Sequence, residues 1–200
     1  MTTLNKTDLL AAMSAHVRGT GLAGATLRPL ARAAGTSDRM LIYHFGSKGA
    51  LIAALLDKLA DEILSALDAA LPAERFASEA ECLAALLGLL RSATFRPYLR
   101  VWLDILSETG RGDAPHLAAS RRLLVGQLAL IGARLPQGIA APKVRAKEML
   151  ALIQGALVLE VANMHKAADL AVARFYPPPA APAPAPAPPM TAGDEAGETG

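Results

Sequence analysis

The sequence predicts an all-α protein, with an N-terminal three-helix head containing a helix-turn-helix and a C-terminal helical bundle. Three observations carry this. Apolar residues make up 52% of the 200 residues but aromatic ones only 4%, and alanine and leucine are helix formers where strands prefer β-branched and aromatic residues. Apolar residues recur every three or four positions, and no segment sustains the period-two alternation of a half-buried strand. Finally, TLRPLARAAGTSDRMLIYHFGSKGAL, from Thr26 to Leu51, reads as two short helices joined by a glycine turn and followed at once by a third helix start.

The first helix is expected over Lys6–Arg18, with Leu9, Leu10, Met13 and Val17 as its buried stripe. In the second, Leu27, Leu30 and Ala31 share one face while Arg28 and Arg32 point elsewhere. Gly35 ends it where a residue with positive φ is wanted. Thr36 and Ser37 can cap the third helix, whose first turn carries Asp38 beside the positive end of the dipole. Met40, Leu41 and Phe45 are its expected core residues. Two helices linked by so short a glycine-containing turn form the unit whose second helix fits the major groove of DNA.

The fourth helix should run from Ser47 to about Ala70, because Leu51, Leu55, Leu59, Ile63 and Leu67 recur with helical spacing. Pro72 marks the loop after it. Further helices are expected at about Ser78–Ala93, Pro97–Ser107, Ala114–Leu135 and Pro142–Arg174, with breaks at Arg96-Pro97, Thr109–Asp113 and Pro136–Pro142. The last two long helices differ from the rest. Leu117, Leu124, Ile131, Leu128 and Leu135 make a near-heptad seam on one, and Leu150, Ile153, Leu157 and Val161 a face of the other. Leu152, Ala156 and Leu159 add a second face there, so the helix needs cover on several sides. A partner subunit can supply that cover.

From Pro177 to Pro189 there are eight prolines, mostly alternating with alanine, and then the acidic TAGDEAGETG. This composition predicts a disordered tail over residues 177–200, with polyproline-II character in its first half. The expected division is therefore 1–48, 49–176 and 177–200.

The net charge of +2 is unevenly distributed. Residues 1–50 carry Lys6, Arg18, Arg28, Arg32, Arg39 and Lys48 against Asp8 and Asp38, a net +4, whereas residues 51–200 sum to −2. That is the electrostatic footprint of a nucleic-acid-binding head. Cys82 is the single cysteine, which excludes an intrachain disulfide framework and reads as a small buried hydrophobe. The N-terminal MTTLNKTDLL lacks the features of a signal peptide, and no apolar run approaches 18 residues, so a cytoplasmic protein without a membrane partner is expected. His16, His116 and His165 show no metal-ligand spacing, no cofactor motif is present, and neither GxSxG, HExxH nor a phosphate loop occurs. The chain is not expected to be an enzyme. A helical protein-interaction module without sequence-specific DNA binding is the alternative, and the turn chemistry and charge of residues 26–48 argue against it.

From Lys6 to Leu55 the chain resembles the N-terminal domain of TetR-type (tetracycline-repressor-like) transcriptional regulators. Gly21-Leu22 matches the end of the family's first helix, Thr26 the opening of its second, and Leu30-Ala31-x-x-Ala34-Gly35-Thr36-Ser37 the turn. Leu41-x-x-His44-Phe45-x-Ser47-Lys48-x-x-Leu51 matches the recognition helix and the start of the fourth. Two positions depart from the pattern. Ile42 stands where the family usually has tyrosine, leaving Tyr43 or His44 to replace it, and Gly49 stands where an acidic residue is common.

The resemblance implies a homodimeric, ligand-responsive repressor that binds a palindromic double-stranded DNA operator and pairs through its last two long helices. Ser37, Asp38, Arg39 and Tyr43 are the candidates for the groove. Arg39 suits guanine O6/N7, and Asp38 suits either cytosine N4 or a capping role. Arg28 is a candidate for bases or backbone. Thr26, His44 and Lys48 are candidate phosphate contacts, with packing beneath the recognition helix the other reading for His44. A small-molecule effector, not identified by the sequence, would bind inside the C-terminal bundle. Tyr98 and Trp102 are the candidate wall there, and Gln154 and Asn163 the candidate orienting groups, with Asp104, Glu108 and His165 as further polar groups on apolar helices.

Overall fold

The computed structural model describes residues 5–176. The tail expected over residues 177–200 lies outside them. Nine helices and no strand occur among the described residues: α1 (Lys6–Thr20), α2 (Leu27–Ala33), α3 (Asp38–Phe45), α4 (Lys48–Ala70), α5 (Glu79–Arg91), α6 (Arg96–Gly110), α7 (Ala114–Arg134), α8 (Pro142–Val161) and α9 (His165–Phe175). The all-α class is as expected, and α1, α4, α5, α6 and α7 begin and end within three residues of the bounds expected for them.

Side-chain caps set several of these starts. Asn5 Oδ1 accepts from the Asp8 N–H at 2.9 Å, Ser47 Oγ from Ala50 at 3.1 Å, and Ser78 Oγ from Glu81 at 3.1 Å. Each satisfies one of the donors that a helix leaves unpaired at its start.

The expected single helix over Pro142–Arg174 is corrected to two. α8 stops at Val161, Asn163 turns left-handed at φ 58°, and α9 begins at His165. The Met164 N–H reaches Leu159 O at 2.8 Å and the Asn163 N–H reaches Glu160 O at 2.9 Å. These two bonds are the Schellman closure, which satisfies carbonyls that the ending helix strands. α9 then folds back on α8 and buries Ala168, so this chain itself supplies part of the cover that a continuous helix would have needed from a partner.

Buried side chains form two clusters. The first runs from Leu9, Met13 and Val17 of α1 through Leu30, Leu41 and Phe45 into Leu55, Leu59 and Ile63 of α4, and on to Val101, Trp102 and Ile105 of α6. Met40, expected in this core, is instead 41% exposed. The second gathers Cys82, Leu83 and Leu87 of α5, Ile131 and Leu135, and Met149, Ile153 and Leu157 of α8. α7 belongs to both, with Ala119 and Leu123 in the first and Ile131 in the second. A Cβ on Gly126 would lie 2.4 Å from Leu64 Cδ1, so the absent side chain sets how closely α7 approaches α4. At the far end of α4 the buried Arg134 guanidinium pairs with Asp68 and donates to Pro72 O at 3.1 Å. Among the described residues no helix is long and apolar enough to cross a membrane.

Candidate nucleic-acid interface and interior polar site

The head is built around α3. Ser37 Oγ accepts from the Met40 N–H at 3.3 Å and starts the helix; Leu41 and Phe45 turn inward. Arg39 and Tyr43, one turn apart, lie on the face opposite Leu41, both exposed, and Tyr43 is 78% accessible. Tyr43 thus offers both its apolar ring and its hydroxyl at the surface. The Tyr43 and His44 rings meet edge to face at 5.6 Å, with His44 half-buried. Asp38 is half-buried in the first turn, where its charge suits the dipole.

Around α3, Thr26 precedes α2 in an extended conformation and makes no side-chain cap, so its exposed hydroxyl is uncommitted. Arg28 is exposed in the first turn of α2, and Lys48 is exposed as the first residue of α4, where backbone N–H groups also favour an anion. Lys6 was not among the sequence candidates. Its ammonium sits 4.8 Å from the centre of the Phe45 ring, beside the recognition helix. The cue available was a basic residue in the first turn of α1. Arg18, counted with the positive head, serves another purpose: it pairs with Glu62 of α4 and lies over the Tyr98 ring at 5.9 Å.

The head is held to the body at a second place that the sequence did not indicate. The Arg100 guanidinium donates to Arg18 O at 2.7 Å and to Gly19 O at 2.8 Å, capping the carbonyl end of α1. Asp104 Oδ2 accepts from the Leu22 N–H at 2.7 Å. Asp104, read as a pocket group, therefore points to the head, and Glu108 pairs with Arg111. α6 is thus a link between head and body alongside α4.

Inside the body, Trp102 Nε1 donates to Gln154 Oε1 at 2.9 Å, and Gln154 Nε2 donates to Gln127 Oε1 at 2.8 Å. These three residues and Tyr98 line an apolar cavity of about 20 Å³ with Ile63, Leu67 and Phe95. Three of the four expected ligand groups are brought together. Asn163 is not: it is exposed in the α8–α9 turn, where its job is the left-handed closure described above. His165 is likewise exposed. Gln127 was missed, its cue being a lone amide on an apolar helix. No carboxylate, ammonium, guanidinium or imidazole lines this cavity, and 20 Å³ is room for about one water.

Cys82 is fully buried, and burial pushes its thiol up to about 11, so it stays protonated and inert at neutral pH. Among the described residues no group of three His, Cys, Asp or Glu side chains is placed to hold a metal.

Residues 17–55 match the family described as bacterial regulatory proteins, tetR family. No curated protein matches the chain in sequence. Among solved structures, the fold is similar to a transcriptional regulator from Rhodococcus sp. Rha1 at 24% identity and TM-score 0.63, covering 84% of this chain and 94% of that one. It is also similar to E. coli NemR in its reduced form, at 20% identity and TM-score 0.65, with coverage of 84% and 94%. The multidrug binding protein EbrR, complexed with imidazole, is similar at 23% identity and TM-score 0.60, with coverage of 87% and 96%.

Proposed function

We propose that this chain, whose residues 17–55 match the tetR family of bacterial regulatory proteins, is a ligand-responsive repressor of that family, binding a palindromic operator as a homodimer in the cytoplasm. The observation that carries the reading is α3 itself: capped by Ser37, anchored by Leu41 and Phe45, and presenting Arg39 and Tyr43 outward. In this reading residues 1–48 recognise DNA and residues 49–176 bind the effector and dimerise. Arg39 and Tyr43 face base edges, as does Ser37 through whatever its cap leaves free, with Asp38 serving chiefly the helix start. Thr26, Arg28, His44, Lys48 and Lys6 contact backbone, which fixes register without reading sequence.

Dimerisation uses the last two long helices, α7 and α8, together with α9; Val125, Val158, Val161, Leu170 and Phe175 are each more than half exposed there. Singly exposed apolar residues are ordinary, but five on three consecutive helices suit a buried interface. The effector enters between Tyr98, Trp102, Gln127 and Gln154. Amides and an indole N–H offer hydrogen bonds but no charge, so an uncharged, largely apolar ligand fits them. The cavity of about 20 Å³ admits it only after the Trp102–Gln154–Gln127 chain opens. An effector works by favouring the arrangement of heads that cannot hold the operator, and reciprocity then requires operator DNA to weaken the effector by the same factor.

Selection of bound sequences from random DNA tests the reading. A palindromic consensus is expected, with half-site centres about 34–36 Å apart or somewhat more. Arg39→Ala should cost about 1–3 kcal/mol and relax one base position. Lys48→Ala should weaken all sequences alike and lower the salt slope by about 1. A chain that is monomeric by light scattering and shifts no DNA at low salt would be the helical interaction module instead.

A further inference from the structure

A preformed space large enough for a small ligand lies outside the interior polar site. Between the C-terminal end of α7, the strap of residues 136–141 and the first turns of α8 there is a groove of about 610 Å³. That volume lies within the range of small-molecule sites, which the interior cavity does not reach. Its floor is apolar, formed by Leu128, Gly132, Ile139 and Ala146, and none of the described residues lining it is acidic.

The rim is cationic. Lys143 and Lys147, one turn apart on α8, line the groove; both are exposed, and neither forms a salt bridge among the described residues. Arg145, between them, is committed to Glu79 at 2.5 Å and Glu148 at 2.8 Å, which removes the nearby carboxylates from competition for the lysines. Arg75 closes a third side. It donates to Gly132 O at 3.2 Å and Leu135 O at 2.8 Å, spending its hydrogen bonds on the end of α7 while keeping its charge at the groove. The strap is fixed in shape: Pro136 and Pro142 bound it, and Ala141 is held left-handed at φ 50°. Such strain in a residue bearing a Cβ persists only where the surroundings enforce it.

We propose that this groove binds an amphipathic anion, an alkyl chain bearing a single carboxylate. The chain lies on Leu128, Ile139 and Ala146 and the carboxylate is held by Lys143 and Lys147. Apolar burial supplies most of the affinity, and the two ammonium groups supply the choice of charge. The site is separate from the Trp102–Gln154 cavity and does not depend on the reading of that cavity.

Isothermal titration of the full chain with decanoate, decan-1-ol and decyltrimethylammonium, each below its micelle concentration, separates these contributions. Decanoate is expected to bind at one site per chain and more tightly than the cationic amphiphile. Combined Lys143→Gln and Lys147→Gln should weaken decanoate by about tenfold, the order for losing hydrogen bonds to a charged group, and leave decan-1-ol unchanged. Gly132→Leu should abolish binding of both, since a Cβ there meets nothing within 4 Å and the side chain would occupy the groove. Leucine also favours the helix over glycine, so loss of binding would not reflect unfolding. Failure of decanoate to bind, equal binding of the cationic amphiphile, or decanoate binding undiminished in either variant would overturn the proposal.

Discussion

The two hydrophobic clusters differ in what they do for the molecule. The first contains the inner face of the recognition helix and runs without interruption from Leu9 through Leu41 and Leu55 to Trp102 and Ile105. The second, around Cys82, Met149 and Ile153, contains no residue of the head. Strain or loss in the first therefore reaches the proposed DNA-reading surface directly, while the second acts on it only through α4, α6 and α7. The junction between them is polar where it matters, with Trp102 of the first cluster hydrogen-bonded to Gln154 on the helix that carries the second. A helix whose N-terminal half is buried in one cluster and whose C-terminal half is buried in the other, as α7 is, can move only by repacking both.

The largest expected effects come from emptying each cluster in turn. Leu41→Ala and Ile153→Ala remove fully or almost fully buried side chains, and each should cost about 2–5 kcal/mol of stability. Their consequences should part at the operator. The folded fraction of Ile153→Ala should keep its DNA affinity within a few-fold, whereas Leu41→Ala should lose binding because α3 is no longer seated. Denaturant melts read alongside mobility shifts at a temperature where both variants are folded make the comparison. Equal loss of DNA affinity in the two would mean that the clusters are not functionally distinct.

A smaller effect tests the joint. Asp104→Ala removes the acceptor of the Leu22 N–H and leaves that half-buried donor without its partner, at about 1–3 kcal/mol. If α6 orients the head, operator affinity should fall by more than stability loss explains, and the effector should release DNA less completely. A variant that melts lower but binds and releases DNA as the wild type does would confine this bond to a structural role.

The head was legible in the sequence because its instructions are local. Gly35 ends α2 with the Gly35 N–H on Arg32 O at 3.1 Å and the Thr36 N–H on Ala31 O at 2.9 Å, at φ 61°. Ser37 and Asp38 then restart the chain within three residues. The same closure ends α8, yet it was not read there, because Asn163 also fits inside a helix and apolar spacing continues past it. Glycine announces a left-handed turn; asparagine only permits one. The interior site was half legible for a related reason. Tyr98, Trp102 and Gln154 stood out as polar or aromatic groups on apolar helices, but their meeting with Gln127 is a contact between α6, α7 and α8 that no spacing along the chain encodes. The Arg100 and Asp104 clasp on the end of α1 is likewise a long-range pairing, and Asp104 alone reads as a pocket carboxylate.

The smallest expected effect decides what Asn163 is for. At φ 58° a residue with a Cβ is strained, and asparagine tolerates this better than most while glycine tolerates it fully. Asn163→Gly should therefore change stability by only a few tenths of a kcal/mol, its relief in the folded state offset by the greater freedom of the unfolded chain. Asn163→Ala should cost about 1 kcal/mol, the order of forcing an L-residue into this region. Neither should alter effector affinity, because the exposed side chain does not line the interior cavity, whereas Gln154→Ala should. Thermal melts and effector titrations monitored by Trp102 fluorescence read both properties on the same samples. Should Asn163→Gly weaken the effector as much as Gln154→Ala does, the residue belongs to the site after all, and the turn would have to bring it inward when ligand binds.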